Sequence, residues 1–232
     1  MMQAPTSADI PHDLAVMAEQ CTARSAHGVV CAAAPLAASA GADVLRRGGN
    51  AYDAVVAMAL AEGVLLPPKC GLGGDLVALA LPAGADAPDA LLAIGGAPSG
   101  LADAADHHPW RDVGATSVGP PAGPAGLLAL AARGRRPLDE LAAPALRLAV
   151  DGFPWAAVAT DLTRLSVALL QEMHPEGCTY LVDGRPIERG TIVRLPRLAA
   201  AIADFAERRE GFLAGPVGAA IVRAVSARGG VL

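Results

Sequence analysis

The sequence predicts an α+β fold in which a few strands come early and a helical layer follows. Two apolar runs, LVALALP at 76–82 and LLAIGG at 91–96, flank a turn-rich segment, a pattern typical of an antiparallel hairpin. From Pro121 onward, segments with helical apolar spacing alternate with Gly and Pro. Apolar residues make up 53% of the 232 residues and aromatic residues only 3%, so Ala, Leu and Val must supply most of the core.

The chain begins with a polar lead-in over residues 1–27, and a β-prone run follows at 28–32. Residues 28–232 are interpreted as one domain, because no repeat and no low-complexity linker divides them. No stretch of eighteen apolar residues is present, so a membrane-spanning helix is not expected. The first twenty residues lack a basic start and a continuous apolar segment, which predicts a cytoplasmic protein.

Two helices are predicted on either side of a Gly48-Gly49 turn. The first begins at Pro35 and ends in two arginines, since cations and a following glycine favour a helix C-terminus. Asn50 fits the N-cap of the second helix, and Asp53 stands at its third position, which predicts a capping box. This second helix, AYDAVVAMALAEGVL, is apolar on nearly every side and is predicted to be buried.

The second half of the chain is predicted to be mainly helical. The expected helices span 122–133, 138–150, 155–172, 196–208 and 217–228. Between the third and fourth of them, the segment YLVDGRPIERGTIVR contains an Asp-Gly turn between two β-prone pieces.

Composition and charge exclude several classes of function. A net charge of −5 with dispersed arginines argues against a nucleic-acid partner. The cysteines lack the C-x-x-C spacing of metal sites and are expected to be reduced thiols; they are Cys21, Cys31, Cys70 and Cys178. No pattern in the sequence calls for a metal or another cofactor.

The loop KCGLGGD at 69–75 is the segment with most functional interest. Its small residues, among them Gly73 and Gly74, allow backbone amides to approach a ligand or another chain. It does not fit a phosphate-binding loop, because it precedes a strand and lacks the Lys-Ser/Thr pair. Asp75 either lines a site or caps the loop by accepting hydrogen bonds from backbone amides, and we favour the second interpretation.

Four blocks in the same order resemble the γ-glutamyltranspeptidase family. The densest is PLAASAGADVLRRGGNAYDAVVAMALAEGVLLPPKCGLGGDLVALA at 35–80, RRPLDELAAPALRLAVDGFPW follows at 135–155, and two more lie within 183–230. The resemblance implies an N-terminal-nucleophile hydrolase fold, a four-layer αββα sandwich. It also implies that this chain is an incomplete large subunit. The catalytic threonine would then begin a separate small subunit, and this chain would contain no catalytic residue.

The resemblance further implies a heterodimer or heterotetramer with that small subunit and an amide or acyl substrate. Ile94 stands where transpeptidases have the arginine that binds the γ-glutamyl α-carboxylate, which predicts a different substrate. Arg111 is a second candidate for that role, and Gly73, Gly74 and Asp75 complete the expected substrate-binding set. The G-G-D sequence at 73–75 resembles the acylase-like and amidohydrolase-like branch of the superfamily. Two alternatives to this function stay open. The chain could be a non-catalytic scaffold, or it could belong to a biosynthetic relative that cleaves a C–C bond beside a carbonyl.

Overall fold

The computed structural model describes residues 23–101 and 113–232, and the chain divides after Cys31 into two parts. Residues 23–31 carry no helix or strand, and Val29 is exposed. The β-prone run predicted at 28–32 is therefore wrong as a strand. An extended run becomes a strand only when a neighbour pairs with its backbone amides and carbonyls, and none of the described strands does so here.

The part from Ala32 onward has the predicted α+β composition, which is confirmed. Its helices are α1 (Pro35–Arg46), α2 (Ala51–Leu65), α3 (Gly123–Ala131), α4 (Leu138–Asp151), α5 (Ala157–Leu165), α6 (Val167–Met173), α7 (Pro196–Arg208) and α8 (Pro216–Ser226). Its strands are β1 (Leu76–Ala80), β2 (Asp89–Ala93), β3 (Phe153–Pro154), β4 (Leu181–Val182), β5 (Arg185–Pro186) and β6 (Ile192–Val193). Among the described residues, none of the helices is both long enough and apolar enough to span a bilayer.

Helix α2 is the centre of the core and contacts both α1 and α4, as its apolar surface predicts. Its N-terminus carries the expected capping box, with Asn50 and Asp53 each accepting a hydrogen bond from the other's backbone amide. Close approach of α1 depends on a small residue, since a Cβ on Gly41 would lie 2.6 Å from the Met58 side chain.

The β1–β2 hairpin is antiparallel, as predicted, and pairs Leu76 with Ala93 at one end. The face that carries these two residues packs on α3 through Gly126, where an added Cβ would lie 2.8 Å from the Cβ of Ala93. The opposite face is exposed, and Leu79 on β1 and Leu92 on β2 lie there at 75% and 67% exposure. The hairpin therefore has one covered apolar face and one open apolar face.

The helix predicted over 155–172 is wrong as a single element, because the chain forms α5 and α6 instead. Ser166 separates them with φ −114° and ψ 6°, and its amide donates to the carbonyl of Thr163 in a tighter turn than an α-helix makes. The Asp-Gly turn after α6 is confirmed: Asp183 and Gly184 both have positive φ and connect β4 to β5. The pairing of β3 with β6 was not predicted.

Candidate functional site

Three segments meet at one end of the β1–β2 hairpin: the loop 71–75, residues 94–96 and residues 119–123. The Gly95 amide donates to Oδ1 of Asp75 over 2.9 Å. The Gly123 amide, at the N-terminus of α3, donates to the carbonyl of Gly74 over 2.7 Å. Gly95 also lies against the carbonyl of Pro120, where there is no room for a Cβ. Backbone contacts thus fix this end of the hairpin.

Most of the expected substrate-binding residues lie together at this junction. Gly73, Gly74 and Asp75 are exposed, and Ile94 immediately precedes the Gly95 amide that Asp75 binds. The Ile94 side chain is 57% exposed. Asp75 does accept a hydrogen bond from a backbone amide, but that amide belongs to the segment after β2 and not to its own loop. Arg111 lies outside the described residues.

The loop glycines are not all required by the fold of this chain. An added Cβ on Gly123 would lie 2.8 Å from the Gly74 carbonyl oxygen, so this position tolerates only glycine without movement. Gly73 is different, since its φ is not positive and none of the described atoms lies within 4 Å of an added Cβ. The packing of the described residues therefore gives no reason for glycine at position 73.

A cavity of about 310 Å³ lies behind the loop, between α2, α3, α7 and the start of β1. Much of its wall is apolar and includes Leu60, Leu72, Leu127 and Ile202. Its polar lining consists of Glu62, Lys69, Cys70 and Asp75. Asp75 therefore belongs both to the cavity and to the junction described above.

Glu62 and Cys70 form a hydrogen-bonded pair in the cavity wall. The Cys70 thiol donates to Oε2 of Glu62 over 3.7 Å, and the Ala34 amide donates to Oε1 over 2.9 Å. Burial and then the Glu62 carboxylate raise the pKa of the Cys70 thiol, and Lys69 opposes them. The thiol is therefore mainly protonated at neutral pH, which slows its reaction with electrophiles without preventing it. Sequence reasoning missed Glu62, although it is the one ionisable residue in the second half of an otherwise apolar helix.

Two threonines of the described chain have structural roles. Thr160 donates its hydroxyl to the carbonyl of Ile187 over 2.9 Å, and Thr163 donates to the carbonyl of Ala159 over 2.7 Å. Both side chains are buried, so neither hydroxyl is placed to attack a substrate. Within the described ranges, no group of three His, Cys, Asp or Glu side chains is arranged to hold a metal ion.

Residues 37–232 match the family described as Gamma-glutamyltranspeptidase. The chain belongs to this family. The Arabidopsis thaliana protein named Glutathione hydrolase 3 is 30% identical over 230 residues, which cover 97% of this chain and 36% of that protein. Oxamate amidohydrolase proenzyme from Klebsiella pneumoniae is 32% identical, with 88% of this chain and 40% of the relative covered. Acylase ACY 1 proenzyme from a Pseudomonas species is 30% identical over all of this chain and 44% of the relative.

Solved structures of the γ-glutamyltranspeptidase family share the fold. The Helicobacter pylori γ-glutamyltranspeptidase superposes with a TM-score of 0.78 at 22% identity, covering 91% of this chain and 63% of that one. The cephalosporin acylase from Bacillus halodurans superposes with a TM-score of 0.76 at 29% identity, covering 100% of this chain and 44% of that one. The predicted α+β part of an N-terminal-nucleophile hydrolase sandwich is thereby confirmed. The chain spans less than half the length of the three curated relatives named above.

Proposed function

We propose that this chain is the large-subunit part of an amide hydrolase or acyltransferase whose nucleophile is the N-terminal threonine of a small subunit. Membership of the γ-glutamyltranspeptidase family supports this, as do the names of two relatives, both proenzymes and one an acylase. In such a site the threonine hydroxyl attacks the acyl carbonyl and its own α-amino group takes the proton. This chain would then contribute the binding surface at the hairpin junction and not the nucleophile.

We also propose that the substrate is not a γ-glutamyl compound, and Ile94 is the observation that carries this proposal. Its side chain is exposed beside the Asp75–Gly95 hydrogen bond, at the position where transpeptidases have an arginine. A substrate carboxylate placed there would lose hydration without gaining a cation, and Asp75 would repel it. Two of the similar proteins, the oxamate amidohydrolase and the cephalosporin acylase, have names that refer to compounds other than γ-glutamyl ones.

The test is a comparison of kcat/KM on a γ-glutamyl anilide and on simple acyl anilides. It uses the chain purified together with the polypeptide that begins with threonine. The unmodified complex should prefer a simple acyl anilide, and Ile94→Arg should shift the preference toward the γ-glutamyl substrate about tenfold, the effect of one charge-assisted contact. Leu165→Arg is the control for adding a charge, because Leu165 is 85% exposed and lies on α5, not on the hairpin.

Two results would contradict the proposals separately. A tenfold preference of the unmodified complex for the γ-glutamyl substrate would mean that another cation binds the carboxylate, and Arg111 would be the first to replace. Turnover by the chain alone, free of any partner, would mean that the nucleophile lies within these 232 residues.

We propose a cytoplasmic location, which the free thiols of Cys31, Cys70 and Cys178 support because disulfides are rare in reducing compartments. Fractionation of the native cells tests this location: recovery of the protein outside the cytoplasm would contradict it.

A further inference from the structure

The cavity behind the loop has the size and lining of a small-molecule site. Its volume of about 310 Å³ lies at the lower end of the range for ligand pockets. Leu60, Leu72, Leu127 and Ile202 give it an apolar wall, and its ionisable groups are few. That combination suits a short aliphatic ligand with a single polar group.

The Glu62 carboxylate is the group best placed to set the charge of that ligand. Its Oε1 already accepts the Ala34 amide, whereas among the described residues Oε2 accepts only a long contact from the Cys70 thiol, which is a weak donor. Oε2 therefore retains capacity for a stronger donor. Glu62 is half-buried and Lys69 is exposed, so the carboxylate is the less hydrated of the two charges.

The two charges beside the Cys70 thiol, Glu62 and Lys69, act on it unequally. Glu62 raises the pKa of the thiol more than Lys69 lowers it, which means that the negative charge predominates at the sulfur. Asp75 adds a second carboxylate to the lining. A cation is therefore favoured over an anion.

We propose that this cavity binds a small primary alkylammonium ion, with its alkyl chain against the leucine wall and its charged group beside the Glu62 carboxylate. An ammonium group supplies three strong donors, and a charge-assisted hydrogen bond to Oε2 would replace the weak thiol contact. The proposal does not require the catalytic role inferred above, because it concerns only side chains of this chain.

The readout is the rate at which iodoacetamide alkylates Cys70. The sample is the full chain with any polypeptide that co-purifies, and mass spectrometry of its peptides measures the rate at each cysteine. The probe is n-butylammonium chloride, with n-butanol and sodium butyrate as neutral and anionic counterparts. With the ammonium probe at about twice its Kd, the alkylation rate of Cys70 should fall about threefold, because the bound alkyl chain covers the sulfur and only the unoccupied protein reacts. The rate at exposed Cys31 should not change.

Two variants test separately what the Glu62 carboxylate and the Lys69 ammonium group contribute to binding. Glu62→Gln keeps an oxygen for the Ala34 amide but removes the charge, so protection should disappear. Lys69→Met should retain protection, because removing a like charge from the cavity wall does not weaken the binding of a cation. Glu188→Gln, an exposed site elsewhere, is the control for general charge effects and should also retain protection. Absence of protection in the unmodified chain, equal protection by butanol or butyrate, or loss of protection in Lys69→Met would each overturn the proposal.

Discussion

Asp53 shows how one buried carboxylate connects distant parts of the chain. Its side chain is completely buried, and it accepts the amides of Asn50, Arg135 and Arg136 at 2.8–3.1 Å. The capping box could be predicted from sequence, because both partners lie within one helical turn. The hydrogen bonds from the amides of Arg135 and Arg136 could not be predicted from sequence, because these residues lie 82 and 83 positions further along the chain.

Replacing Asp53 with Ala should therefore destabilise the chain far more than the loss of a helix cap does. The change leaves three backbone amides without their acceptor in a partly buried place, at a cost of about 3 kcal/mol in the free energy of unfolding. Urea unfolding of the chain together with its co-purifying polypeptide, followed by circular dichroism, measures this difference. Asp161→Ala is the control, because its ion pair with Arg164 is exposed and should contribute no more than about 0.5 kcal/mol. If the two variants lost the same free energy of unfolding, the three amides would have to form hydrogen bonds with water when Asp53 is absent, which would contradict this prediction.

At the level of elements, the junction at the end of the hairpin is built from glycine backbone and not from side chains. Gly123→Ala would place a Cβ 2.8 Å from the Gly74 carbonyl, the same oxygen that accepts the Gly123 amide. The clash must displace the loop, and we expect a loss of about 1–3 kcal/mol in the free energy of unfolding.

Gly73→Ala is the matched control and should leave the stability of the chain unchanged, because nothing described lies within 4 Å of the added Cβ. It should nevertheless weaken substrate or partner binding if the loop approaches either of them closely. Two measurements on the assembled enzyme distinguish an effect on stability from an effect on binding. Thermal unfolding of both variants measures the first, and kcat/KM measures the second. A large loss of stability in Gly73→Ala, or none in Gly123→Ala, would contradict the assigned packing.

Elements with a strong local signal were predicted well, and elements that depend on distant contacts were not. The β1–β2 hairpin follows from two apolar runs, and α7 was predicted at its observed bounds, 196–208. The break at Ser166 has no Gly or Pro to mark it. The short β3–β6 pair joins residues almost forty positions apart. In the candidate site, Asp75 could be singled out from sequence, but its partner Gly95 and the Glu62–Cys70 pair depend on tertiary packing.

At the scale of the whole molecule, the described residues leave one face of the β1–β2 hairpin apolar and exposed. Val77, Leu79 and Leu92 alternate along β1 and β2, Ile94 directly follows β2, and each of these side chains is 57–75% exposed. The other face of the same hairpin already packs on α3. Strands that are apolar on both faces are typical of sheets covered on both sides. A chain with one such face uncovered should therefore associate through it.

We expect the purified 232-residue chain, without a partner, to form oligomers or aggregates and to unfold without a sharp cooperative transition. Replacing Leu79 and Leu92 together with Thr should shift the population toward monomer, because Thr retains β-propensity while reducing the apolar area on that face. Sedimentation velocity over a concentration series measures the shift. Leu165→Thr is the control, since Leu165 is 85% exposed on α5 and should not alter the oligomeric state. A monodisperse monomer with a sharp unfolding transition in the unmodified chain would show that the open face needs no cover.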